Sequence, residues 1–229
     1  MKSTDRVLEA SIKKIVINHL LFKGNELQSN DETFIISEFS IANFSRRVDL
    51  VLAKKDNFYA FEIKSEFDSL VRLEGQVNEY IEHFDKVIVV TVEKYVEKVL
   101  KLTPVTVAVW ELSNFDLKVI RRGKINKINN KRVFLKMMTH SELLNLAKKS
   151  DVKLVDKKRK VVEELLYNLP LKTLRKSAVE YIKCRYKKRG SNYYDKFYFE
   201  YKKNKKTSVS DNKKEPTNID SFINVLGDL

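Results

Sequence analysis

The chain has 229 residues, of which 43% are hydrophobic and 33% are Asp, Glu, Lys or Arg, with a formal net charge of +14. That is enough apolar material for one ordinary core plus a smaller helical unit. A single cysteine, Cys184, excludes an internal disulfide framework and a cysteine-cluster zinc site, and no run is apolar enough to span a bilayer.

In chain order, Val7, Leu8, Ile12, Ile15, Val16 and Leu20 mark an N-terminal amphipathic helix that also carries Glu9. It lacks the apolar core of a signal peptide, so a cytoplasmic location is the expectation. Residues 33–39 form an apolar run read as the first strand, with Glu38 inside it. Residues 47–53 are dominated by apolar β-formers and read as a mostly buried strand. Asp49 interrupts that run, and a buried aspartate is costly unless paired, hydrogen-bonded or bound to metal.

Residues 54–57 have the polar chemistry of a hairpin loop, and 57–64 read as the next strand. Strand side chains alternate between faces, so Ala60, Glu62 and Lys64 share one face while Tyr59, Phe61 and Ile63 share the other. The hairpin is expected to bring Asp49 beside Glu62. Residues 67–84 have helical spacing: Leu70, Leu73, Val77, Ile81 and Phe84 make one stripe, and Asp68 or Ser69 is the expected N-cap. Arg72, Gln76 and Tyr80 form a row beside the stripe, near the sheet. A buried strand over 86–92, a short helix over 93–102, a strand over 105–110 and an edge strand over 115–121 complete an α/β mixed sheet flanked by helices.

Charge then divides the chain. Residues 1–120 hold 16 Lys plus Arg against 19 Asp plus Glu, residues 121–206 hold 27 against 8, and residues 207–229 hold 2 against 4. Acid thus concentrates in the α/β part and base in an appended all-helical region. The expected organisation is 1–122, 123–206 as a nucleic-acid-binding region, and 207–229 as a tail.

In the basic region, helices are expected over 141–149, opening at a Ser141 cap, over 157–169 and over 170–188, with an extended link at 152–155. Helix, extended link and helix resemble small SAP-like or helix-extension-helix DNA-binding modules, without their usual glycine. Lys157, Lys158, Arg159, Lys160, Arg185, Lys187, Lys188 and Arg189, together with Arg72, are the candidate DNA contacts. Tyr193, Tyr194, Phe197, Tyr198, Phe199 and Tyr201 interleave with lysines, a composition suited to stacking on bases. Residues 218–229 are a candidate helix for docking a protein partner.

The chemistry sits between residues 47 and 80. A hard divalent ion such as Mg²⁺ takes oxygen ligands, and Asp49, Glu62 and the Ile63 carbonyl offer three. Lys64 on the Glu62 face would orient or deprotonate a water, or neutralise charge growing on a phosphate.

Asp49, then Glu62-x-Lys64, then Gln76-x-x-x-Tyr80, in strand, strand, helix order, resembles the PD-(D/E)XK nuclease superfamily, and the last element resembles its RecB-like branch. The stretches "RRVDLVL", "FEIKSEFDSLVRLEGQVNEY" and "FDKVIVVTV" are similar to poorly characterised bacterial and phage proteins within it. Val48 stands where the signature has proline, which is not a metal ligand.

The resemblance implies a restriction-endonuclease-like fold and an Mg²⁺- or Mn²⁺-dependent deoxyribonuclease. Its catalytic set would be Asp49, Glu62, Lys64, Gln76 and Tyr80, with Glu38 and Glu9 as additional metal ligands. Cutting both strands would favour a homodimer. The rival expectation is a catalytically silent DNA-binding, regulatory or phage-encoded interaction protein on the same fold.

Overall fold

The structure, a computed structural model, describes residues 9–20, 33–41, 46–54 and 57–186. Among them one six-stranded mixed sheet runs in sequence order: β1 (Thr33–Ile41), β2 (Arg46–Lys54), β3 (Asn57–Lys64), β4 (Lys86–Val92), β5 (Ala108–Ser113) and β6 (Asp116–Arg121). The β1–β2, β2–β3 and β5–β6 pairs are antiparallel, while β3–β4 and β4–β5 are parallel. The helices are α1 (Glu9–Asn18), α2 (Leu73–His83), α3 (Val96–Leu102), α4 (Lys131–Met137), α5 (His140–Lys149), α6 (Arg159–Leu166) and a seventh, α7, over 171–186. None of the described helices is long and apolar enough to cross a membrane.

Alternation along the strands feeds two cores. Ile12, Val16 and Ile17 of α1 pack on Leu50, Leu52, Tyr59, Phe61, Ile63, Ile88 and Val90. On the opposite face Leu73, Val77 and Tyr80 of α2 and Val99 of α3 pack on Val51, Ala60, Val87, Val89 and Val109. With both faces covered, β3 and β4 read as continuous apolar runs. Their crossovers, α2 and α3, lie on one face because β3, β4 and β5 follow one another across the sheet in one direction.

The second core continues past residue 122. Val133, Phe134, Leu143, Leu146, Val162, Leu166, Leu174 and Ile182 belong to the same buried cluster as the sheet residues. Asp85, immediately before β4, ties the parts together. It is 1% exposed and accepts from the Phe58 and Ile128 amides at 2.9 and 3.0 Å. The Arg175 guanidinium of α7 grips it with a two-pronged contact at 2.9 and 3.0 Å.

The structure corrects several expected boundaries. The helix over 67–84 begins at Leu73, with Arg72 rather than Asp68 or Ser69 at the N-cap position. Asp68 instead bonds backward to the Ser65 amide at 2.7 Å and hydroxyl at 2.5 Å, which closes a turn before the helix. The strand expected over 105–110 runs Ala108–Ser113, because a turn closed by Val107 N–H to Pro104 O occupies the preceding residues.

Helix α5 is capped by Thr139, not Ser141, in a reciprocal capping box with Glu142. Helix α6 is shorter than 157–169, and α4, capped by the Asn130 side chain, stands where the sequence pattern predicts no element. Residues 187–229, including Lys187, Lys188, Arg189, the aromatic-basic stretch and the 218–229 segment, lie outside the described residues.

Candidate active site

The site forms where β2 and β3 part. Their ladder runs from Lys54↔Asn57 to Leu50↔Phe61 and stops. In that register Asp49 and Glu62 are the next residues, one on each strand. Past the last pair the Asp49 side chain replaces the neighbouring strand, its Oδ2 accepting the Ile63 N–H at 2.7 Å. On the other edge of β2 a similar gap opens. The β1–β2 pairs Ser37↔Leu50 and Phe39↔Val48 skip Glu38 and Asp49, and Glu38 has a φ of 58°. A left-handed backbone costs a non-glycine residue about 1–2 kcal/mol.

Glu62 and Lys64 are both buried and face α2 together, as alternation requires. Lys64 Nζ donates to Glu62 Oε1 at 2.7 Å and to Gln76 Oε1 at 3.1 Å. The Tyr80 hydroxyl lies 2.8 Å from Glu62 Oε2 and 2.9 Å from the Arg47 carbonyl, and its one proton serves one acceptor at a time. Burial, then the Glu62 charge beside it, raises the Tyr80 phenol above its ordinary range, so it acts as a donor. All five residues expected to be catalytic therefore meet: Asp49 at the split, and Glu62, Lys64, Gln76 and Tyr80 in one hydrogen-bonded network.

Carboxylates approach Asp49 from two sides. Oxygens of Glu9, Glu38 and Asp49 lie within 4.8 Å of one another, and Glu62 acts on Asp49 from the α2 side. The Asp49 carboxyl is pushed up to about 7, first by burial and then by the Glu62 charge, with the Ile63 N–H pulling the other way. These are hard oxygen donors in excess of nearby cations, the chemistry that a divalent ion satisfies. The Ile63 side chain points into the α1 core, so its contribution to an ion is limited to its main chain.

Lys13 was missed. From α1 it reaches Glu38 Oε1 at 2.5 Å and Glu9 Oε1 at 3.7 Å while 7% exposed. Burial lowers its pKa, but the Glu38 hydrogen bond and charge, with Asp49 and Glu9, outweigh that and raise it. Its one sequence signal is the Glu9–Lys13 spacing of four on a helix.

Among the candidate DNA contacts, Arg72, Lys157, Lys158 and Lys160 are exposed. Two others are engaged internally. Arg159 donates to the Met138 carbonyl at 2.9 Å and pairs with Glu163 at 2.7 Å. Arg185 donates to Glu142 at 2.5 Å and to the Met137 carbonyl at 3.0 Å.

Fold and site together define an α/β protein with a buried carboxylate and lysine network at a strand split, walled by further acid. Residues 1–213 match the family described as bacteriophage P4 protein cII, and the chain belongs to that family. It is 36% identical over 183 residues to protein cII of Enterobacteria phage P4, covering 78% of this chain and 67% of that protein. A solved protein of unknown function from Silicibacter pomeroyi superposes with a TM-score of 0.41 at 18% identity, over 66% of this chain and 94% of that one.

Proposed function

We propose that this chain is a metal-dependent deoxyribonuclease of PD-(D/E)XK type with a restriction-endonuclease-like fold, acting on DNA in the cytoplasm. The observation that carries the reading is the parting of β2 and β3 immediately before Asp49 and Glu62, with Lys64 buried against Glu62.

In this reading Asp49, Glu62 and the Ile63 carbonyl would hold one Mg²⁺ or Mn²⁺, and Glu9 and Glu38 close the acidic wall. The bound ion supplies polarisation of the scissile phosphate and a lowered pKa for the attacking water. Lys64 has three donors, two of them used by Glu62 and Gln76, and the third serves the phosphate or the water. Tyr80 and Gln76 set the Glu62 and Lys64 rotamers, so the reacting groups are ordered before substrate arrives. Arg72 and the exposed lysines 157, 158 and 160 hold the DNA backbone.

The test is incubation of the full chain with linear, circular and single-stranded DNA, with and without Mn²⁺. Asp49→Ala and Lys64→Ala are each expected to lower cleavage by about a hundredfold or more, with DNA affinity, measured by anisotropy in Ca²⁺, largely kept. Cleavage by both variants at the wild-type rate would overturn the assignment. DNA binding without Mn²⁺-dependent cleavage by the wild type would favour the silent DNA-binding reading.

A further inference from the structure

We infer that Lys13 is a built-in cation for the acidic cage formed by Glu9, Glu38 and Asp49, so that the site takes a single divalent ion. The inference deepens the nuclease reading and rests on it.

The geometry is that of an ion in a cage. The Lys13 ammonium is delivered from α1 into the space between Glu9 and Glu38, 2.5 Å from Glu38 Oε1 and 3.7 Å from Glu9 Oε1. Lys13 is buried on α1, the helix whose Ile12 and Val16 lie in the core beneath. Glu38 is engaged at both ends, since its Oε2 meets Arg47 at 3.5 Å. Both oxygens thus face a cation supplied by the chain. Asp49 differs: its Oδ2 accepts from the neutral Ile63 amide, and its carboxylate keeps lone pairs for another ligand.

Charge counting leads to the same place. Glu9, Glu38, Asp49 and Glu62 bring four formal negative charges, and Lys13, Arg47 and Lys64 bring three positive ones. Of the four acids, Asp49 is the one with no ion pair among the described residues, although the Lys13 charge also acts on it. One divalent ion there over-neutralises the cluster by one. A second, beside a retained Lys13, would place three excess positive charges in a partly buried space, with direct repulsion between ammonium and metal. An ammonium is a compact point charge that fits an oxygen cage without demanding octahedral geometry, so it serves where a second ion would otherwise be needed.

The experiment counts Mn²⁺ bound by the full chain, by calorimetric titration and by the loss of free-ion spectroscopic signal. Wild type is expected to bind one Mn²⁺. Lys13→Met, which keeps the stem and removes the charge, is expected to bind two, and Lys13→Arg to return to one. Lys13→Gln carries the same expectation as Lys13→Met and replaces it if the methionine variant does not fold by circular dichroism.

Two ions on wild type would overturn the inference while leaving the nuclease reading standing. One ion on a folded Lys13→Met or Lys13→Gln protein would do the same. No ion on wild type would overturn the inference and the metal-dependent nuclease reading together.

Discussion

Asp49 joins three properties that are separately ordinary: a strand position, partial burial and acidic neighbours. Together they make its charge expensive in the folded chain. Its carboxyl titrates at about 7 against an ordinary 3.8, so the folded state holds the proton more tightly than the unfolded state. Below about pH 4 both states are protonated and there is no cost. As pH rises from about 4 to about 7 the unfolded chain gains from ionisation first, stability declines, and above about 7 the full cost is present.

Thermal melts of wild type and Asp49→Asn should therefore diverge through that window, the variant gaining relative stability as pH rises, with the gap constant above it. An equal gap at pH 5 and pH 8 would contradict this. Added Mn²⁺ above pH 7 should raise the wild-type melting temperature more than that of Asp49→Asn. The sequence flags Asp49 because an acid in an apolar strand demands a partner. For Lys13 it offers only the Glu9–Lys13 spacing, which does not single it out from 45 Lys and Arg residues.

Periodicity carried the strands and helices further than it carried their ends. Strands β3 and β4 and the α2 stripe follow directly from alternation and three-to-four spacing. The α2 start did not, because Asp68 has two uses for its carboxylate and bonds back to Ser65. The end of β6 rests on Gly123, whose φ is 66°; a Cβ there would meet the Ala108 amide nitrogen at 2.5 Å and the Thr106 carbonyl at 2.6 Å.

Gly75, inside α2, is the opposite case, with Arg46 Nη2 at 3.6 Å from the added carbon. Gly123→Ala should destabilise by about 2 kcal/mol or more, whereas Gly75→Ala should stabilise by about 0.5–1 kcal/mol. Urea titrations of the two variants check the opposite signs. Destabilisation of both by the same amount would mean that α2 tolerates no added carbon near Arg46.

Across the fold, the helices after residue 122 and the sheet share one core, and the buried Asp85–Arg175 pair joins positions 90 residues apart. Removing one member of a buried ion pair leaves the other uncompensated, so Arg175→Ala is expected to cost about 3–5 kcal/mol. The shared core predicts that sheet and helices still unfold together. Two separated calorimetric transitions in wild type would instead mean that the helical part folds on its own.

The chain's local order settled the α/β class, the faces of β3, the shared side of Gln76 and Tyr80 on α2 and the division of charge, because pleat, helical turn and composition are short-range properties; Arg72 falls outside that row, exposed at the N-cap. It also nominated Asp49, Glu62, Lys64, Gln76 and Tyr80, since each breaks or flanks an apolar pattern. The parting of β2 from β3, the strained Glu38, the Lys13 cage and the Asp85 tie required the fold. Each depends on groups distant along the chain being forced into one partly buried space, where the energy of a charge is set by its neighbours rather than by its own residue type.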